Sequence, residues 1–249
     1  PALYSQSHTL SAPVFTRERW SSPDRDFVDV DFATHASKAD TPQLALFHGL
    51  EGSSQSHYAQ AFADWASAEG MPFSVPHFRG CSGEINHAPR AYHSGDFEEI
   101  DWILRRLKAR MPQRKLVAVG ISLGGNALMR WAQEQGRGAA AIASAVASVC
   151  SPLDLAAAGH AIGSGLNRWI YTPMFLKTMK PKALARLALH PGLFDDRALQ
   201  ESRNLYEFDN VFTAPLHGFK STEDYWARAV RHQHGEAAGE RDVGRQRRT

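Results

Sequence analysis

No uninterrupted apolar run in the 249 residues is long enough for a membrane-spanning helix, so no integral membrane segment is expected. Cysteine is almost missing too. Cys81 and Cys150 are the only two, too few for a disulfide framework, and a reducing cytoplasm is the default setting. Residues 1–19 lack the basic flank and apolar core of a secretory signal. An excess of one charge is also lacking over most of the chain. Residues 231–249 hold five Arg against three acidic residues, which accounts for the whole net charge of +2 and leaves 23 basic and 23 acidic residues elsewhere. A neutral body without a basic stripe argues against a phosphate-tracking surface, so nucleic acid is not an expected partner. Hydrophobic content of 43% suits an ordinary globular protein, and no central stretch reads as a linker.

What the chain does contain is an alternation of short apolar runs and helical periods. Phe27 to Phe32 alternates and reads as a half-exposed antiparallel strand at a sheet edge. Leu44 to Phe47 and Phe73 to Phe78 read as buried strands. A helix is predicted over about 56–69, with Tyr58, Phe62, Trp65 and Ala66 on one face and Gly70 as its stop. A second helix covers about 96–110. Leu116 to Val119 is another strand, followed by a helix through Leu128 and Trp131 and a further strand within 139–149. Four strands separated by helices predict a parallel sheet covered on both faces, with ligands bound beyond the carboxyl ends of the strands. Residues 154–222 loosen into short helical pieces (167–171, 182–190 and 197–206) among aromatic side chains. They read as a helical insertion over that rim, a cap, or as further outer helices. Residues 231–249 are polar, with only Ala237, Ala238 and Val243 as apolar members, and disorder is the default there.

The most informative stretch is Gly120-Ile121-Ser122-Leu123-Gly124-Gly125, set between a strand and a helix. G-x-S-x-G in that setting describes a sharp turn that lifts a serine hydroxyl above the sheet edge, the glycines admitting the backbone without a Cβ clash. Ser122 is therefore a candidate nucleophile, against the alternative of a plain tight turn. The residue after such a serine, Leu123, supplies one N–H to an oxyanion hole. The glycine-containing loop from His48 to Ser54 follows a neighbouring strand and is placed to supply the other. The alternative for that loop is a glycine turn at a helix start. His48, His57, His77, His87 and His93 lack the short paired spacings of zinc sites, and no metal or cofactor is expected. Cys81 reads as a packed thiol rather than a nucleophile. No Lys-Ser/Thr follows the glycines, which disfavours a phosphate-binding loop.

His48 to Tyr58 (H-G-L-E-G-S-S-x-S-H-Y), His77 to Glu84, Tyr92 to Gly95, Val119 to Asn126 and Ala214 to Phe219 stand in order, with Ser151 a near match to a further block. Together they resemble the α/β-hydrolase superfamily, in its YheT-like esterase branch, over roughly residues 13–229. The resemblance implies an α/β-hydrolase domain at 13–230 with the cap at about 154–222, and a Ser–Asp–His serine esterase. Ser122 matches the nucleophile, and Leu50 and Leu123 match the oxyanion-hole positions. His48 matches a loop histidine that is not the triad base. The implied substrate is a small acyl ester, and the aromatic residues of the cap region favour an apolar acyl chain. The likeness stops near Ala229, and no counterpart of the triad Asp or His is identifiable. Asp154 reads as a helix N-cap, His217 as a packed loop residue, and His232 and His234 lie in the polar tail. A catalytically incomplete or ligand-binding relative is thus the alternative expectation, and a reading-frame shift past Ala229 would explain the polar tail and the C-terminal strands the resemblance finds missing.

Overall fold

The computed structural model describes residues 13–229. Six strands form one mixed sheet in the order β1-β2-β4-β3-β5-β6. They are β1 (Phe15–Ser21), β2 (Phe27–Ala33), β3 (Gln43–Phe47), β4 (Phe73–Pro76), β5 (Leu116–Ile121) and β6 (Ala145–Val149). The last four run parallel, while β2 is antiparallel to both β1 and β4. Side-chain alternation along the central strands separates two cores, as the twofold period of a strand requires. Leu44 and Leu46 face one side with Ala59, Ala63 and Ala66 of α1 (His57–Glu69). Ala45, Phe47 and Ala118 face the other side, against α2 (Phe97–Arg110) and α3 (Leu123–Gln135). Helices therefore cover both faces.

Local reading and tertiary packing diverge at several places. β2 is neither half-exposed nor at an edge, because β1, unread in the sequence, lies outside it. Asp29 and Asp31 are buried there, since Arg19 and Arg17 of the facing strand reach across and pair with them. On α1 it is small alanines that sit against the sheet, and Trp65 is left 51% exposed. Gly70 ends that helix in the left-handed conformation at φ 69°, as its position predicts.

After β6 the described chain holds helices joined by loops, with no further strand: α4 (Leu155–Ile162), α5 (Asn167–Leu189), α6 (Asp196–Glu201), α7 (Leu205–Phe208), a π-helical turn at Asp209–Thr213, α8 (Ala214–Leu216) and α9 (Thr222–Ala229). The pieces read separately at 167–171 and 182–190 are one helix of 23 residues running through Pro173 and Pro181. Each proline removes only its own N–H. Burial of Leu176, Ala183 and Arg186 on one side of α5 holds the helix together across both. The outer edge of β6 has no strand beside it among the described residues, and most of β6 is exposed. Residues 231–249, read as a polar tail, lie outside the described residues.

Candidate active site

Ser122 sits between β5 and α3 with φ 52° and ψ −118°, a backbone region that side chains other than glycine rarely enter. Its N–H donates to the Val149 carbonyl at 2.8 Å, and its own carbonyl accepts the Asn126 N–H at 3.1 Å, so the turn is held on both sides. The flanking glycines are steric necessities. A Cβ on Gly120 would overlap the backbone of Gly124 and Gly125. One on Gly124 would collide with the carbonyl oxygens of Phe47 and His48, and one on Gly125 with the hydroxyls of Ser148 and Ser151. The elbow thus fits only because the start of α3 lies directly on the ends of β3, β5 and β6.

The His48 loop packs against this turn. A Cβ built on Gly49 would stand 3.4 Å from the Ser122 Cβ, and the Gly49 N–H donates to the Tyr58 hydroxyl at 2.9 Å. His48 itself is wholly buried. Its Nδ1–H donates to the Gly49 carbonyl at 2.8 Å, and its Nε2 accepts the Phe78 N–H at 3.1 Å. Burial pushes its pKa down to about 3, so the ring is a neutral strut between the loops after β3 and β4 and not a base facing the serine. Glu51 also adopts a left-handed φ of 57°, where its N–H donates to the Tyr92 hydroxyl and that hydroxyl donates back to its carboxylate at 2.8 Å. The N–H groups of Leu50 and Leu123 are taken up by no other group among the described residues.

Ser122, Leu50 and Leu123 line one cleft of about 150 Å³. Its opposite wall is built by the helices that follow β6, with Ile162, Phe175, Phe208, Phe212 and Trp226 facing in. Gly159 of α4 is in close contact with the Trp226 indole, where a Cβ would overlap the ring. Trp226 Nε1–H donates to Asp209 at 2.9 Å, and the Thr213 hydroxyl donates to the other Asp209 oxygen at 2.6 Å. Asp209 is a cleft residue that sequence reasoning missed. Burial raises its carboxyl to about 6, and only the π-helical turn, which no local pattern announces, brings it there.

The remaining candidates fall elsewhere. Asp154 N-caps α4, accepting the Ala157 N–H at 2.9 Å. His217 is a packed loop residue whose two ring nitrogens face the Thr213 and Ala91 carbonyls, each at 2.9 Å. Cys81 is buried and its thiol is pushed up to about 12 by burial, which makes it inert. His77 is tied to Asp31 at 2.9 Å on the far side of the His48 ring, in a cluster with Ser54 and Arg17. No three His, Cys, Asp or Glu side chains converge as a metal would need among the described residues. None of the described helices is long and apolar enough to cross a membrane. His232 and His234 lie outside the described residues.

Comparison with known proteins agrees with this architecture. The family described as "alpha/beta hydrolase fold" matches residues 42–228. An Escherichia coli (strain K12) protein named "Putative esterase YheT" is 37% identical over 212 residues, 84% of this chain and 62% of that protein. A Saccharomyces cerevisiae monoacylglycerol lipase is 29% identical over 88% of this chain and 49% of its own length. Human phospholipase ABHD3 is 25% identical over 82% of this chain and 50% of its own. The chain thus spans about half to three-fifths of the length of these relatives. Among solved structures, the Pyrococcus furiosus esterase Pf2001 superposes with a TM-score of 0.50 at 15% identity, over 69% of this chain and 63% of that one, a likeness of fold alone. The strained serine between strand and helix, the parallel sheet beneath it and the match over residues 42–228 together show that this chain belongs to the α/β-hydrolase-fold family.

Proposed function

We propose that this chain carries the nucleophile and oxyanion site of a serine hydrolase acting on carboxylic esters. Ser122 attacks the acyl carbonyl, the N–H groups of Leu50 and Leu123 stabilise the oxyanion, and water releases the acyl group. The observation that carries this reading is the left-handed φ of Ser122, a conformation with no packing advantage for a serine, at a cleft it shares with both N–H donors. The helices between about 154 and 222 act as a cap, and the phenylalanines they turn into the cleft suit an apolar acyl chain. The unpaired Cys81 and Cys150 are in keeping with a reducing, cytoplasmic setting. No cofactor takes part.

The described residues leave the general base unassigned. His93 is the imidazole that shares the cleft with Ser122, but burial pushes its pKa down to about 3 and its Nδ1 accepts the Gly95 N–H at 3.2 Å. Both Asp209 oxygens are committed to Trp226 and Thr213. These facts favour a second reading, in which the 249-residue chain binds an acyl ligand without turning it over. A fluorophosphonate probe and a p-nitrophenyl ester series separate the two. Labelling and hydrolysis that vanish in Ser122→Ala support the first reading. Equal hydrolysis by that variant removes Ser122 from the mechanism, and saturable ester binding with neither labelling nor hydrolysis supports the second.

A further inference from the structure

One stretch of the cleft wall is cationic, and it is built by α5 and the loop after β4. Lys182 and Arg186, one turn apart on the same face of that helix, line the cleft together with Arg79 and Gly80 of the loop after β4. Three of the cations in this region have carboxylate partners. Lys182 pairs with Glu51 at 2.8 Å, Arg79 with Asp24, Asp26 and Glu99 at 2.7–3.0 Å, and Arg90 with Asp96. Arg186 has none among the described residues, although it is only 3% exposed.

Its hydrogen bonds show which part of the guanidinium is in use. Nη1 donates to the carbonyls of Ala88, at 2.5 Å, and Arg90, tying α5 to the loop beneath it. Nε and Nη2 donate to nothing among the described residues. Nη2 stands 3.9 Å from where a Cβ on Gly80 would be, which places that edge at the cleft wall. The same edge does different work elsewhere in this protein. Arg17 grips Asp31 through Nε and Nη2 at 2.7 and 2.9 Å, and Arg19 grips Asp29 at 2.8 and 2.9 Å. An Nε/Nη2 fork matches the two oxygens of a carboxylate or phosphate, and a buried guanidinium without a counter-charge is costly to keep. Nearby Asp26 does not complete the pair, because its oxygens accept Arg79 and the His87 and Ala88 N–H groups.

We propose that the open Nε/Nη2 edge of Arg186 binds an anionic oxygen group, carboxylate or phosphate, carried by the same ligand whose apolar chain lies along the cleft. This deepens the esterase reading and rests on it for the acyl half: the substrate is an amphiphilic ester with an anionic group, not a neutral ester. Nη1 accounts for the structural role of Arg186, and the free edge accounts for recognition.

The test is binding, measured in the Ser122→Ala background so that hydrolysis plays no part. Dodecyl phosphate, dodecanoate and dodecanol are titrated into the 249-residue chain and followed by intrinsic tryptophan fluorescence, to which Trp226 in the cleft contributes. Two charge-assisted hydrogen bonds predict that one or both anions bind about 10- to 100-fold tighter than dodecanol. Arg186→Gln should bring that anion down to the dodecanol level and leave dodecanol unchanged, while Arg186→Lys keeps part of the preference. Equal affinities for all three ligands overturn the proposal. So does an equal loss for all three in Arg186→Gln, which would mark a purely structural arginine. Inorganic phosphate alone is the remaining arm: if it binds as tightly as dodecyl phosphate, the site takes free anions and not an amphiphile. Should Arg186→Gln not fold, Arg186→Lys decides: it must weaken the preferred anion while sparing dodecanol, and an equal effect on both overturns the proposal. Failure of the ester test in Ser122 variants would leave this outcome untouched, so the two readings fail separately.

Discussion

Acid should loosen the rim of the sheet through His48, and the size of the effect follows from its surroundings. The ring is fully buried, its Nδ1–H is spent on Gly49, and its Nε2 must stay unprotonated to accept the Phe78 N–H. Burial holds the folded pKa near 3, whereas an unfolded histidine takes up a proton near 6.5. The folded pKa lies below the unfolded one, so the contribution is intact above pH 6.5 and drains away as pH falls through the window toward 3. At pH 5, about 1.5 units into that window, the cost reaches up to about 2 kcal/mol at 1.36 kcal/mol per unit. His93, also held near 3, acts in the same direction, and Asp209, raised to about 6, acts in the opposite one, so the wild-type curve alone does not isolate His48. His48→Gln does. It keeps an acceptor for Phe78 and cannot titrate. At pH 7 the variant should be less stable by about 1–3 kcal/mol, the cost of imperfectly replaced buried hydrogen bonds. At pH 5 the gap should have narrowed by up to about 2 kcal/mol, read from urea midpoints at constant slope. A gap that stays constant between pH 7 and 5 would show that His48 is not a buried neutral strut.

Two further expectations concern packing and charge. Gly124→Ala forces a Cβ into the carbonyls of Phe47 and His48 and should cost about 3 kcal/mol or more, whereas Gly138→Ala, with only the Gln135 side chain nearby at 3.8 Å, should be close to neutral; thermal unfolding of the two variants checks the contrast. Asp209 has a folded pKa of about 6 against an ordinary carboxyl near 4, so its stability contribution is full below pH 4 and is lost as pH rises through 6. Asp209→Asn should therefore gain on the wild type by up to about 3 kcal/mol between pH 4 and 7 in urea unfolding, and a gap independent of pH would refute the burial argument.

The elbow was legible in the sequence because its constraints are local. Ser122 has to turn sharply between a strand and a helix, and Gly120 answers a contact within that turn, whereas Gly124 and Gly125 answer the ends of neighbouring strands that only the fold brings there. Strands β3, β4 and β5 were legible for a similar reason, since strands buried on both faces must be largely apolar. What the residues alone could not decide was which polar groups would be buried and against what. The alternation in β2 predicted exposed aspartates, but a partner strand outside it brought Arg17 and Arg19 within ion-pair reach. His48 became a strut between two loops only when Phe78 from another loop donated to it. The pieces read separately at 167–171 and 182–190 are one helix because packing on one face holds α5 through Pro173 and Pro181. Asp209 and Arg186 face the cleft because α5 and the π-helical turn fold back over the strand ends, bringing together residues more than sixty positions from Ser122. Sequence periodicity determines which residues can be inside; the long-range pairing of charges, hydrogen bonds and helices decides which of them are, because the cost of a buried polar group is set by its partner and not by its neighbours in the chain.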